Sequence, residues 1–227
     1  MFASLTPVTR RARFRTLVDD VQHCGLCPRM VGRPKILSER NGNIRSRVLF
    51  IAEAPGRLGA DRTGIPLSGD RSGDNFETLL RSIGWARTDI FITNAVLCNP
   101  RSEEGTNARP SDEEITNCSA FLRMTINVID PDVVVTLGTV ALRAIARIHP
   151  HSYGLRKAVG RLVPWAGRWL MPMYHPSPRA AVHRSLASQR ADYFELSNRV
   201  DPHRGLHVRA GKRRFLRIVD ADKQSQS

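Results

Sequence analysis

The sequence has no run approaching the roughly 18 apolar residues that a membrane-spanning helix requires, so no membrane partner is expected. Its start, MFASLTPVTRRARFRTL, carries charge but lacks the apolar core of a secretory signal. Together these gaps predict a cytoplasmic chain in a thiol-reducing compartment, where disulfides are rare. Acidic residues are few, 21 against 35 Lys and Arg, which leaves a formal charge of +14. A pI near 11.0 points to a polyanionic partner, with nucleic acid the first candidate. No internal repeat is visible, which excludes a solenoid.

What is present suits one α/β domain. The 227 residues allow a sizeable core. A single domain is expected over residues 1–208, followed by a basic and polar tail over 209–227. The stretch VLFIAEAPGRLGADRTGIPLSGDRSGD, Val48 to Asp74, is the centre of the chain. An apolar strand ends at Glu53 and breaks at Pro55-Gly56 into a loop rich in Gly and Asp. A buried parallel strand of this kind delivers its loop to the carboxyl edge of the sheet, where open α/β folds bind ligands. The acids Glu53, Asp61, Asp70 and Asp74 in so basic a protein indicate chemistry more than solubility.

Further strands are predicted at Ile90 to Val96, Val133 to Leu137 and Leu170 to Tyr174. Helices are predicted around Phe14 to Val21, from Phe76 to a stop at Gly84, after a capping box at Ser111, after Gly138, and from Ala187 to Arg199. Strands alternating with helices give a three-layer αβα sandwich with a central four-stranded parallel sheet.

Four cysteines remain to be placed. Cys24 and Cys27 form a C-x-x-C, and Cys98 and Cys118 flank a loop and a helix start. Four thiolates suit either a tetrahedral zinc or an iron–sulfur cluster, and spacing does not choose between them. A redox pair or scattered core cysteines are the other readings. His175 leaves the same sheet edge as Glu53 and Asn94, so three polar side chains converge on one crevice. Asn94 either pairs with the edge of a base or caps its loop. Arg179, Arg184 and Arg190 either contact phosphates or form a solvated basic face.

These motifs resemble the uracil-DNA glycosylase superfamily, most of all its iron–sulfur branches, families 4 and 5. The likeness runs from about Cys24 to Arg199. It is carried by the C-x-x-C, by Glu53-Ala54-Pro55-Gly56, and by Ile92-Thr93-Asn94-Ala95-Val96 followed by Cys98. Asn107-Ala108-Arg109-Pro110, Glu114-Ile115 before Cys118, Leu137-Gly138 and Tyr174-His175-Pro176 continue it. Arg62-Thr63-Gly64 with Gly69-Asp70-Arg71-Ser72-Gly73-Asp74 resembles family 5, and His175-Pro176-Ser177-Pro178 resembles the first, cluster-free family.

The resemblance implies a monomer that binds uracil-containing DNA, flips the base and hydrolyses its glycosidic bond. His175 would donate to the uracil O2 as charge develops, and Asn94 would read the uracil edge and exclude cytosine. The backbone around Ala54, Pro55 and Gly56 would hold the base, with Ser177 and Arg179 beside it. Cys24, Cys27, Cys98 and Cys118 would hold a structural 4Fe–4S cluster, with zinc as the alternative.

Ala54 stands where the first family has its water-orienting aspartate. Asp70, which matches the family-5 acid, takes that role first and Glu53 second; Asp61 and Asp74 either share it or bind loop amides. Leu67 replaces a phenylalanine that stacks on uracil in family 4, leaving Phe76 as a substitute or a core residue. Arg179 replaces the first family's leucine wedge. No catalytic lysine is implied, so strand cleavage is not expected. The loop after Asn94 lacks the histidine-bearing basic insertion of relatives that trap DNA, so turnover is. The alternatives are a broader glycosylase for hypoxanthine or xanthine, and a non-catalytic damage-binding protein.

Overall fold

The computed structural model describes residues 9–206; the tail expected over 209–227 lies outside them. Helix α1 (Arg10–Gln22) is capped by Thr9 and leads through the Cys24–Cys27 turn to strand β1 (Val48–Ala52). There follow α2 (Ala60–Thr63), α3 (Arg71–Ser82), β2 (Phe91–Asn94), α4 (Asp112–Ile129) and β3 (Val133–Leu137). The rest of the described chain forms α5 (Thr139–Ala146), α6 (Leu155–Ala158), β4 (Val163–Trp165), β5 (Arg168–Met173), α7 (Pro178–Ala181) and α8 (Leu186–Arg199). A small hairpin, β6 (Val200–Asp201) with β7 (Gly205–Leu206), ends it.

The main sheet has the order β2-β1-β3-β5-β4. The first four of these are mutually parallel, as the pattern predicted. A fifth strand, β4, departs from the four-stranded expectation by pairing antiparallel with β5 at the edge. It is joined to β5 by the two-residue turn Ala166-Gly167, both at positive φ (47° and 74°), the backbone of a tight hairpin turn. An alanine in the first turn position hid this hairpin from pattern reading. Pro164 sits on the exposed strand, where a missing N–H discourages further pairing.

Each sheet face buries its own apolar layer. Leu49, Ile51 and Val134 face Phe14 of α1, Leu122 of α4 and Ile145 of α5. Val48, Phe50, Val135 and Met171 face Leu79 of α3 and Leu196 of α8. Every residue of β1 and β3 is buried, which is why both read as unbroken apolar runs.

Helix α3 begins earlier than predicted, at Arg71, because the Asp70 side chain accepts from the Gly73 amide at 3.0 Å and caps it. Gly and Asp in that turn read as loop formers in the sequence. The capping box on α4 is present, with Ser111 and Glu114 each bonding the other's amide.

Phe76 settles into the core. Its side chain is fully buried, edge-on to Phe50 at 5.4 Å and beside Tyr193. Phe76→Ala is therefore expected to lower unfolding free energy by about 3–5 kcal/mol, read from denaturant unfolding. Wild-type stability in that variant would contradict the core placement.

Candidate active site

Strand register brings the predicted polar residues to one edge. Ala52 pairs with Asn94, Ile51 with Thr136 and Leu137 with Met173, so Glu53, Asn94 and His175 leave the same carboxyl edge, with β3 between β1 and β5. The chain then turns sharply after β1: the Gly56 carbonyl accepts from the amides of Gly59 and Asp61, each at 3.1 Å.

Asp70 closes over this turn from the start of α3. While its Oδ1 caps the helix, its Oδ2 lies against Gly56 and Gly59. A Cβ on Gly56 would come within 2.8 Å of that oxygen, and one on Gly59 closer still. Only glycine permits so near an approach of carboxylate to backbone. The negative charge of Asp70 also reaches His175, the first residue but one after β5.

His175 keeps part of its surface open to the crevice, yet its ring is deep enough that desolvation governs it. Burial pushes its imidazole pKa down to about 4, against the upward pull of Asp70. It is neutral at physiological pH. Asn75 of α3 fastens the following loop by donating to the Pro176 carbonyl at 2.8 Å.

Asn94 is 2% exposed, and its amide nitrogen has no hydrogen-bond partner. Leaving a buried donor unsatisfied costs about 1–3 kcal/mol, a cost that an acceptor from outside the chain would relieve. Burial raises the Glu53 carboxyl above its usual range, opposed by the charges of Arg109 and Arg179. These two exposed arginines come from separate segments, Arg109 from the loop before α4 and Arg179 from α7, and the charge of each reaches the same carboxylate. Sequence reading had quoted Arg109 only as part of a motif, without a role.

Several expectations are redirected. Arg184 is drawn inward onto Asp192, at 2.6 Å, and Arg190 covers the Phe194 ring of its own helix at 5.4 Å. The Ser177 hydroxyl caps α7, accepting from Ala180 at 3.3 Å. Leu67 packs in the core layer with Phe76, so neither offers an exposed ring to stack on a base. Asp61 pairs with Arg101 at 2.5 Å, and Asp74 is exposed in the first turn of α3. Pro55 is held through its carbonyl, which accepts from Asn99 at 2.6 Å, while Ala54 packs against the core layer of α1 and α4.

The four cysteines come together from three segments. Burial pushes the Cys118 thiol up to about 12 and that of Cys98 to about 11; the charges of Cys24 and Cys27 add to both, while Lys35 opposes the rise at Cys98. Thiols that sense one another's charge lie in one neighbourhood. Among the described residues, no three His, Cys, Asp or Glu side chains form a group that could hold a metal ion.

The family model described as the uracil DNA glycosylase superfamily matches residues 39–199. The chain belongs to this superfamily. A type-4 uracil-DNA glycosylase of Thermotoga maritima is 34% identical over 170 residues, covering 74% of this chain and 84% of the relative. A type-5 uracil-DNA glycosylase of Pyrobaculum aerophilum is 31% identical over 198 residues, covering 75% and 85%. A type-4 enzyme of Archaeoglobus fulgidus is 32% identical over 141 residues, covering 60% and 68%. The superfamily match spans all four parallel strands, and with them the crevice.

A depressed histidine pKa has a measurable sign. As pH falls from the ordinary histidine value of about 6.5, the unfolded chain protonates first. The stability tied to His175 is thus complete above that value and is lost progressively as pH drops toward 4. Histidine-labelled NMR should find one imidazole neutral down to about pH 4, and His175→Gln should flatten this stretch of the stability profile. An ordinary titration for His175 would refute the buried, neutral assignment.

Proposed function

We propose that this chain is a monofunctional uracil-DNA glycosylase that excises uracil by hydrolysis and leaves an abasic site. The observation that carries the reading is the unpartnered, buried amide of Asn94 on the same edge as the Asp70–His175 pair. An N–H donor there matches the uracil O4 carbonyl, whereas cytosine would present its own amino donor and leave both unsatisfied.

The flipped base would lie against the Ala54–Gly56 turn. As the bond from N1 to C1′ breaks, its electron pair leaves on uracil, and neutral His175 donates a hydrogen bond to O2. A neutral imidazole does this without first giving up a proton. The Asp70 carboxylate stabilises the sugar cation electrostatically and holds the water that adds to C1′, taking up its proton. Glu53, partly buried between Arg109 and Arg179, is the second acid. Those arginines suit the phosphates on either side of the flipped nucleotide.

Cys24, Cys27, Cys98 and Cys118 would hold a 4Fe–4S cluster, which supplies cross-linking of the amino-terminal segment to the Cys98 loop and α4 rather than a step of the reaction. The similarity to type-4 and type-5 glycosylases supports the same reading.

The test is a uracil-containing oligonucleotide treated with wild type or Asp70→Asn, then with alkali to cut abasic sites. Excision by wild type and a loss of about 100-fold or more in Asp70→Asn are expected. Equal activity in both would transfer the role to Glu53. No abasic sites from a folded, metal-loaded wild type would overturn the uracil assignment, with hypoxanthine and xanthine substrates next. Iron and acid-labile sulfide should each reach about four per chain, and zinc in their place would refute the cluster.

A further inference from the structure

Two arginines join the thiol site to the turn that faces the base. Arg29 follows Cys27 by two residues, and its guanidinium grips Glu114 in both carboxylate oxygens, at 2.5 and 2.6 Å. The same fork donates to the backbone carbonyls of Arg101, at 3.3 Å, and Arg109, at 3.0 Å. Arg101 in turn donates to Asp61 at 2.5 Å and to the Asn99 amide oxygen at 2.9 Å. Asn99 passes the restraint on through its amide nitrogen, to the Pro55 carbonyl at 2.6 Å and to Asn107 at 3.0 Å. Asn107 then accepts from the Arg57 amide at 2.8 Å. Both sides of the Pro55-Gly56 turn are therefore tied to one loop, and that loop is tied to the residue beside Cys27.

The burial of the anions makes this chain more than surface decoration. The side chains of Glu114 and Asp61 are 8% and 5% exposed, and each has one arginine as its ion-pair partner. Among the described residues the second Asp61 oxygen has no hydrogen-bond partner, and Arg101 is its ion-pair partner. A buried carboxylate that loses its cation is strongly destabilised, so movement at either arginine must displace the chain around it. Arginine is required at both places because one planar fork serves several acceptors at once, which a lysine ammonium does not reproduce.

We propose that Arg29 and Arg101 form a strut through which the Cys24–Cys27 segment positions the Pro55-Gly56 turn, making base binding depend on the integrity of the four-thiol site. Neither arginine touches the base; both are positioning residues. The proposal rests on reading that turn as the base pocket.

The experiment combines amide hydrogen exchange over residues 53–62 with excision kinetics, for wild type, Arg29→Lys, Arg101→Lys and the double variant. Each single change should speed exchange in 53–62 by about tenfold while leaving β3 protected. Each should raise KM by about tenfold with kcat within about threefold. The double variant should be little worse than either single one, because both break the same path. Removing the metal group with ferricyanide and EDTA should open 53–62 in wild type and add nothing in Arg29→Lys.

Faster exchange throughout the chain with KM unchanged would reduce the arginines to general stabilisers and overturn the strut. Additive effects, or wild-type exchange at 53–62 in Arg29→Lys, would overturn it as well. Arg101→Lys tests the path even where Arg29→Lys loses its metal. An inactive wild type would remove the glycosylase reading, and the exchange data would still decide the strut.

Discussion

Asp70 lies where helix α3, the turn after β1 and the His175 loop meet, and its carboxylate serves all three. One oxygen caps the helix at Gly73, while the other rests on the backbone of Gly56 and Gly59. Its charge raises the basicity of His175 against the effect of burial. A longer acid would not fit between two glycines, and a neutral residue would remove the charge that His175 feels. The loop composition follows from this contact. Glycines are needed for close approach, and the cap fixes the aspartate before any ligand arrives.

The electrostatics of the crevice run counter to the protein as a whole. A chain with formal charge +14 concentrates carboxylates at one strand terminus and then surrounds them with arginine. Arg101 neutralises Asp61, Arg29 neutralises Glu114, and Arg109 with Arg179 act on Glu53. The charge of Asp70 reaches His175, which burial holds neutral. On the proposed reading that carboxylate would act on the bound nucleotide, and the excess of basic residues would favour a polyanion.

The architecture was legible because its signals are local. The parallel strands are short apolar runs buried on both faces, and β3 begins and ends at the predicted residues. The Ser111 box marked the start of α4 within one residue. Two elements were hidden for equally local reasons: Ala166 occupies a position where turn chemistry favours Asn or Gly, and the first turn of α3 is written in loop-forming residues. The site was legible in its edge residues, Glu53, Asn94 and His175, because strand ends announce themselves. Its scaffolding was not. Asp61 and Arg101 lie 40 residues apart, and Asn99 reaches Pro55 across 44, distances at which no periodicity survives. Leu67 and Phe76 show the converse: a position inferred by likeness was claimed by the core.

The same accounting of partners sets Asn94 apart from three other asparagines. Asn41, Asn75 and Asn99 are all pinned to backbone carbonyls, at 2.7, 2.8 and 2.6 Å. Asn94 is buried as well, and among the described residues its nitrogen has no such bond. Its backbone is fixed by the parallel pairing with Ala52, so it has little freedom to search for a partner. The donor cost is thus carried by the folded protein and relieved by a ligand that brings a carbonyl to that point. A ligand bringing a second donor would gain nothing there and would lose its own hydration. On the proposed reading, selectivity would reside in an unmet hydrogen bond held rigidly by the sheet, and its strength would scale with how firmly the surrounding turns are held in register.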